Sequence, residues 1–345
     1  MKKILITGGA GFIGSAVVRL FVNQGFEVTN IDALTYASSS RNLSSVHSAP
    51  NSTFICANIL DQKALEKIFI DCEPDAVIHL AAESHVDRSI NAPSIFVETN
   101  IRGTFNLLET SLKHWQDRGR PRKFRFYHIS TDEVFGSATS DTKFTEQTRY
   151  NPSNPYSASK AASDHLVQVF NKTYGLPTLI SHSSNNYGPF QHSEKFFPVV
   201  ILNAINNKPV PIYGSGNNIR DWLYVDDHAR AIMVVLLKGS CGETYNIGGN
   251  CEVSNIELAQ KIFSCLDRVY PNRAPHSKQL SFVSDRPGHD FRYSIDASKI
   301  KNELGWEAET PIDHGIEKTV QWFTKTKTTT DQIKIKTKGY SGKNT

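Results

Sequence analysis

Tyr156 and Lys160 stand four residues apart, and Thr131-Asp132-Glu133 sets a hydroxyl and two carboxylates side by side. A tyrosine and a lysine at that spacing share one face of a helix. A nearby ammonium favours the phenolate, as does a cationic nicotinamide, which makes Tyr156 a candidate base for a substrate hydroxyl. Lys160 can also hold a nicotinamide ribose. Adjacent carboxylates in a cleft stagger their proton affinities, so one can serve as acid while the other serves as base. Hydride transfer alone needs no such pair, so the chemistry expected here goes beyond a simple dehydrogenation. The alternative for Asp132 and Glu133 is a cap on the next segment or pairing with surface lysines.

The cofactor that such a tyrosine serves has its own signal. Gly8, Gly11 and Gly14 follow an apolar run at 3–7 and precede a helical pattern through about Asn23. Gly8 and Gly11 permit a tight turn and close approach of backbone to a pyrophosphate, and Gly14 lets the helix pack on the strand. The helix start around Phe12 and Ile13 would present free amides to the phosphates. Asp32 ends the second strand, where a carboxylate accepts ribose hydroxyls and repels a 2′-phosphate; Arg41 is the nearest arginine beyond it. NAD+ is therefore expected rather than NADP. Asn58, with Ile59 after the third strand, could bond the adenine or cap the helix beginning near Asp61. His79 and His128 sit in apolar strands and read as core or supporting residues. There is no HExxH and no CxxC, so no metal is expected.

The elements that must carry these groups alternate between strand and helix. Apolar runs at 27–31, 53–57, 76–80, 124–129 and 176–181 are separated by helical patterns, notably 62–70, 94–113 and 156–174. That alternation predicts a parallel sheet with right-handed crossovers. The expected fold is α/β, a Rossmann-like doubly wound parallel sheet with a smaller, discontinuous substrate-binding lobe. Residues 1–186 are expected to form the main NAD-binding domain, 219–249 to return to it, and 187–218 with 250–323 to belong mostly to the lobe. The Lys/Thr-rich stretch 324–345 is expected to be a disordered basic tail.

Of 345 residues, 39% are hydrophobic and 21% charged, as in a soluble globular protein. The net charge of +4 resides in that tail: from Lys325 onward six lysines face one aspartate, so the body is near neutral. With no dense basic helix, nucleic acid is not an expected partner. No stretch approaches 18 apolar residues, so no membrane partner is expected either. The first strand begins almost at Met1, which leaves no room for a signal peptide. Five scattered cysteines fit reduced thiols in a cytoplasmic protein.

The glycine pattern and the Tyr156–Lys160 pair resemble the extended short-chain dehydrogenase/reductase family. Within it the chain is similar to the dTDP-glucose 4,6-dehydratases, through His79 to Ser89, Ser130 to Gly136, Pro155 to Lys160, Asn185 to Pro189, Ile219 to Tyr224 and Asp285 to Asp290. It departs from the usual pattern at Ser38, Asn58, Phe135 and Phe196-Phe197-Pro198. The resemblance implies that dTDP-glucose or a related nucleotide sugar is oxidised at C4, loses water across C5 and C6, and regains hydride at C6. NAD+ would stay tightly bound and be regenerated in each cycle. In family terms Glu133 is the base at C5, Asp132 the acid at C6, and Thr131 a hydrogen-bonding partner of the C4 oxygen. Adjacency alone does not orient the two acids.

The same resemblance assigns Leu80, Ala81, Ala82, Thr99 and Asn185 to the cofactor. It assigns Ser84, Asn185, Glu194, Lys195, Arg220, Asn255, Arg286 and His289 to the substrate. Arginine suits the charged oxygens because it presents a planar fork of donors, although Arg220 could instead pair with Asp221. A homodimer through the helices 94–113 and 156–174 is also implied, with Phe96, Phe105, Leu108 and Leu166 as apolar material. The alternatives are the same reaction on UDP-glucose, a nucleotide-sugar 4-epimerase or decarboxylase, and a catalytically silent NAD-binding regulator.

Overall fold

Ile4 and Ile6 point to one side of their strand and Leu5 to the other, and all three are buried. A strand apolar on both faces must be covered on both. The computed structural model describes residues 1–139, 141–285 and 288–339, with side chains to Lys325. Its larger unit comprises Met1–Asn186, Ile219–Glu252 and Pro287–Glu309. Seven strands form its sheet in the order 244–247, 178–183, 125–131, 76–79, 3–7, 27–32, 52–56, every pair parallel.

Ile4, Ile6, Val28, Ile78 and Tyr127 pack with the helices Phe12–Asn23 and Val225–Lys238. Leu5, Ile31, Val77, Phe126 and Ile180 pack with Gln62–Cys72, Thr104–Asp117 and Pro155–Tyr174. The chain leaves the central strand 3–7 toward 27–32 and later resumes on its other side at 76–79. That reversal is where doubly wound sheets open a crevice at their C-terminal strand ends.

The smaller unit comprises Tyr187–Asn218, Val253–Arg286 and Thr310–Thr345. Its helices Phe196–Ile205 and Asn255–Val269 bury Phe197, Ile201, Leu258, Ile262 and Phe263. A two-stranded parallel sheet pairs Val210–Tyr213 with Leu280–Val283.

One expectation is refined and two change. The sequence reading puts 250–323 mostly in the lobe, and the part that belongs to the larger unit is 287–309. Ala297, Ile300, Leu304 and Trp306 supply the reason, since they are buried in its core beside Ile232 and Leu236. The single helix expected over 94–113 is instead Pro93–Phe96, a wide π-helical turn at Val97–Gly103, and Thr104–Asp117. Asn100 carries that turn: its side chain is committed to Glu83 and Ser159, and its carbonyl accepts from the Thr104 and Ser163 hydroxyls. Finally, the segment expected as a disordered tail from 324 continues the helix Ile312–Gly339. No proline or glycine interrupts the chain between Gly315 and Gly339. Residues 340–345 lie outside the described residues.

Candidate active site

The first strand delivers the chain to Gly8, where φ is +73° and an added Cβ would lie 2.7 Å from the Ala81 backbone. Only glycine meets both demands. At Gly14 an added Cβ would lie 2.1 Å from the Gly8 carbonyl oxygen, so the helix packs directly on the turn. Gly11 caps that helix without a side-chain acceptor. The amides of Phe12, Ile13 and Gly14 therefore have no intrahelical partner and suit an anion.

Asp32 accepts from the Ala10 amide at 3.0 Å through Oδ2 and from the Leu34 amide at 2.8 Å through Oδ1. Each oxygen keeps further acceptor capacity for a ribose hydroxyl. Asn58 Oδ1 accepts from the Leu60 amide at 2.9 Å, and the helix cap is Asp61, which accepts from the Ala64 amide at 3.0 Å. Ile59 fills the space beside Gly103. The Leu80–Ala82 loop is held by Thr7, whose carbonyl accepts from the Leu80 amide at 3.1 Å and whose Oγ1 accepts from the Ala81 amide at 3.1 Å. Asn100 clamps the following residue: Oδ1 accepts from the Glu83 amide at 2.8 Å and Nδ2 donates to its carbonyl at 3.0 Å. Thr99 is the neighbour of that clamp.

Thr131 ends the strand Arg125–Thr131. Its Oγ1 accepts from the Glu133 amide at 3.3 Å and donates to Asp132 Oδ1 at 3.4 Å. The single turn Asp132–Phe135 then gives two neighbouring carboxyls different surroundings. Asp132 is 2% exposed, and its Oδ2 has no hydrogen-bond partner among the described residues. Burial first, then the charges of Glu133 and Asp221, hold Asp132 well above the usual carboxylate range, against the pull of Arg220. Glu133 is only half-buried. Environment thus separates what adjacency leaves open: burial raises the proton affinity of Asp132 above that of an ordinary carboxylate.

The helix bearing Tyr156 is fixed at its start by a reciprocal cap. Asn154 Oδ1 accepts from the Ser157 amide at 3.0 Å and Ser157 Oγ accepts from the Asn154 amide at 3.3 Å, with Pro155 in the first position. Tyr156 lies against Phe96. Burial and the charge of Glu133 raise its phenol, partly offset by a hydrogen bond with Thr131. Lys160 Nζ donates to the Ile129 carbonyl at 2.9 Å and stands 3.2 Å from His128 Nε2. Burial pulls its ammonium down to about 8. In the protein alone the phenol therefore stays protonated, first because it is buried and then because of the Glu133 charge. The expected phenolate depends on a bound nicotinamide as much as on Lys160.

Arg220, expected on the charged oxygens of a substrate, is bonded to the backbone here. Nη1 donates to the carbonyls of Ile219 and Phe291 at 2.7 and 3.2 Å, and Nη2 to Asp290 at 2.9 Å. Its guanidinium also lies over Tyr293, 4.2 Å from the ring centroid. Asp221 beside it accepts from the Gly249 and Cys251 amides at 2.9 and 2.6 Å. His289 and Ser84 are half-buried in the same unit, and Asn185 Oδ1 is buried with no partner among the described residues. In the smaller unit, Asn255 opens its helix behind the Ser254–Glu257 capping box, while Glu194 and Lys195 precede Phe196–Ile205. Arg286 lies outside the described residues. The sequence reading missed Asp164 and Asn100; only the four-residue step from Lys160 to Asp164 hinted at the former.

These residues fit a dinucleotide. A glycine cradle too tight for a Cβ, uncapped helix amides and a buried carboxylate with acceptor capacity lie at the ends of neighbouring strands. Among the described residues no group of His, Cys, Asp or Glu is placed to hold a metal ion, and no helix is long and apolar enough to cross a membrane.

A family model described as GDP-mannose 4,6 dehydratase matches residues 5–319. The dTDP-glucose 4,6-dehydratase of Haemophilus influenzae is 52% identical over 332 residues, covering 94% of this chain and 98% of that protein. The dTDP-glucose 4,6-dehydratase 1 of Escherichia coli is 51% identical over 344 residues, 96% of this chain and 95% of its own. A solved structure of dTDP-glucose 4,6-dehydratase from Bacillus anthracis in complex with NAD has a TM-score of 0.84 at 38% identity, over 95% of this chain and 98% of that one. The UDP-glucose 4-epimerase of Thermotoga maritima with UDP-glucose reaches a TM-score of 0.83 at 30% identity, over 94% and 99%. The backbone alone therefore does not part dehydratases from epimerases, whereas identity above one half over nearly the whole length does. The chain belongs to the extended short-chain dehydrogenase/reductases and, among them, to the dTDP-glucose 4,6-dehydratase family.

Proposed function

We propose that the protein converts dTDP-glucose to dTDP-4-keto-6-deoxyglucose and water, with NAD+ regenerated in every cycle. The observation that carries this reading is the split environment of Asp132 and Glu133 beside Tyr156: one carboxyl buried and raised in proton affinity, its neighbour half-buried. When bound, NAD+ supplies hydride acceptance at C4 and its return at C6, so no outside reductant is consumed. The residues that would hold it are the Gly8–Gly14 turn at the pyrophosphate, Asp32 at a ribose, Ile59 with Leu80–Ala82 and Thr99 along its length, and Lys160 at the nicotinamide ribose.

Tyr156 takes the C4 hydroxyl proton, and Thr131 hydrogen-bonds the C4 oxygen. A ketone at C4 acidifies the adjacent C5–H, which is otherwise inert. Glu133 removes that proton and Asp132 gives its own to the departing C6 hydroxyl, so water leaves; Glu133 then returns a solvent-exchanged proton to C5, and the proton taken by Tyr156 restores Asp132 through solvent. Ser84, Asn185, Glu194, Lys195, Arg220, Asn255, Arg286 and His289 are the proposed contacts of the nucleotide sugar.

We also infer a homodimer. Ile95, Val97, Phe105, Val169 and Tyr174 are exposed on the helical segments of 93–117 and 155–174. Of the four apolar residues the sequence offers, some of which must face the sheet, Phe96 and Leu108 are fully buried and Phe105 is exposed.

The deciding experiment offers dTDP-glucose and UDP-glucose separately to the purified protein and identifies the products by NMR. A 4-keto-6-deoxy product from dTDP-glucose without added reductant is expected. A 4-epimer, or product in proportion to added cofactor only, sinks the reading.

A further inference from the structure

Beneath the helix Pro155–Tyr174 lies a buried polar cluster that the reaction as derived does not use. Asp164, one helical turn after Lys160, is wholly buried. Its Oδ2 accepts from Ser130 Oγ at 2.9 Å and stands 3.0 Å from His182 Nε2. Its Oδ1 is 3.3 Å from His128 Nε2, the same ring nitrogen that stands 3.2 Å from Lys160 Nζ. A single imidazole nitrogen thus lies between a lysine and a carboxylate that share one helix face.

We propose that Asp164 is a positioning residue: it is the buried counter-ion that keeps Lys160 an ammonium, across His128, and so sets the alkaline limit of the reaction. The reasoning is a count of charges around Lys160. From the strand 125–131 comes His128, which burial and Lys160 pull down to about 4, so it is neutral. From the strand 76–79 comes His79, lowered by burial, His128 and Lys160. From the strand 178–183 comes His182, bonded to Asp164 and 3.1 Å from the Tyr150 hydroxyl, which burial and Asp164 keep protonated. On the helix itself Tyr156 is a neutral phenol, and the turn after the strand brings Asp132, whose proton affinity burial raises, and Glu133, both acting on Tyr156, whereas the carboxylate that acts on Lys160 is Asp164.

That leaves Asp164 as the anion opposite Lys160. Burial alone would raise its carboxyl, but the imidazoles of His128 and His182, 3.3 and 3.0 Å from its two oxygens, overcome this and hold it well below the usual carboxylate range. A lysine as buried as Lys160 with no carboxylate in reach would lose its proton below neutrality. It would then hold the tyrosine and the nicotinamide ribose as an amine, without the charge that favours the phenolate.

The inference rests on the dehydratase reading only in giving Lys160 a charged role, and its test does not depend on which sugar is turned over. Lysine side chains labelled with 13C at Cε are titrated by NMR in the full chain, and Lys160 is identified by the resonance lost in Lys160→Met. The wild-type midpoint is expected near about 8. In the isosteric Asp164→Asn it should fall by about one unit or more, and the alkaline limb of steady-state turnover should move down with it. Asp164→Glu, which restores the charge, should move both back. An unchanged Lys160 midpoint in a folded Asp164→Asn, even with lower turnover, overturns the proposal and leaves Asp164 a packing residue. Should Asp164→Asn not fold, the wild type decides. A midpoint below about 7 would mean that the carboxylate does not sustain the ammonium, one above about 10 that Lys160 does not set the alkaline limit, and either overturns the proposal.

Discussion

Asp132 is buried, which raises its proton affinity, while Glu133, its neighbour in sequence, is half-buried on the same turn. The two carboxyls share a peptide bond and differ in solvent. Acid and base can therefore be told apart by what surrounds each one rather than by residue type.

Replacing them should separate two halves of one elimination. Glu133→Gln is expected to abolish uptake of solvent deuterium at C5 of the product, with turnover down about 10²–10⁴-fold, the usual worth of a positioned base. Asp132→Asn should lose turnover while still exchanging the C5 proton. NMR of products made in D2O reads both. Wild-type exchange in Glu133→Gln would remove its role as base.

The buried acid should also cost stability, with a definite sign. The folded pKa of Asp132 lies above its unfolded value, so above about pH 4 the unfolded chain releases a proton that the folded chain retains. Stability therefore falls as pH rises from the unfolded pKa toward the folded one. Asp132→Asn escapes that loss. Urea midpoints at pH 4 and pH 7 should show the variant gaining on wild type at the higher pH, and a constant difference would count against a protonated Asp132.

With Asp32 assigned to the adenine-side ribose, its carboxylate should oppose a 2′-phosphate. Titration of stripped protein should give tighter binding of NAD+ than of NADP+, and Asp32→Asn should narrow the ratio by on the order of tenfold, equivalent to about 1.4 kcal/mol. The amide side chain can still accept from Ala10 or Leu34, so the change reports charge more than collapse. Equal affinities in wild type would defeat the assignment.

Gly8 offers a test of the turn itself. An alanine there must take φ +73° and meet the Ala81 backbone at 2.7 Å. Gly8→Ala should cost about 1–3 kcal/mol of stability by denaturant unfolding and weaken NAD+ binding. A variant as stable as wild type would show that the loop at 80–82 can move aside.

For assembly, light scattering should return a dimer, and Val169→Glu, which charges an exposed apolar position on the helix of Tyr156, should return a monomer. A wild-type monomer across the working concentration range rules the dimer out.

The strands, the glycine turn, Asp32 and the Tyr156–Lys160 step were all legible in the sequence, because each is a local pattern: a period of two, a turn that needs glycine, one helical turn between side chains. The wide turn at Val97–Gly103 was not, because its cause is Asn100 reaching residues 17 and 59 positions away. Nor was the return of 287–309 to the larger unit, which rests on buried contacts between segments distant in the chain. The chemistry divides the same way. Residue types alone named an acid, a base, a phenol and an ammonium. Which carboxyl keeps its proton, which backbone carbonyls hold Arg220 and which buried anion faces Lys160 depend on desolvation and on charges brought together by folding. Proton affinity is set by the whole surroundings of a group, and only the tertiary structure assembles those.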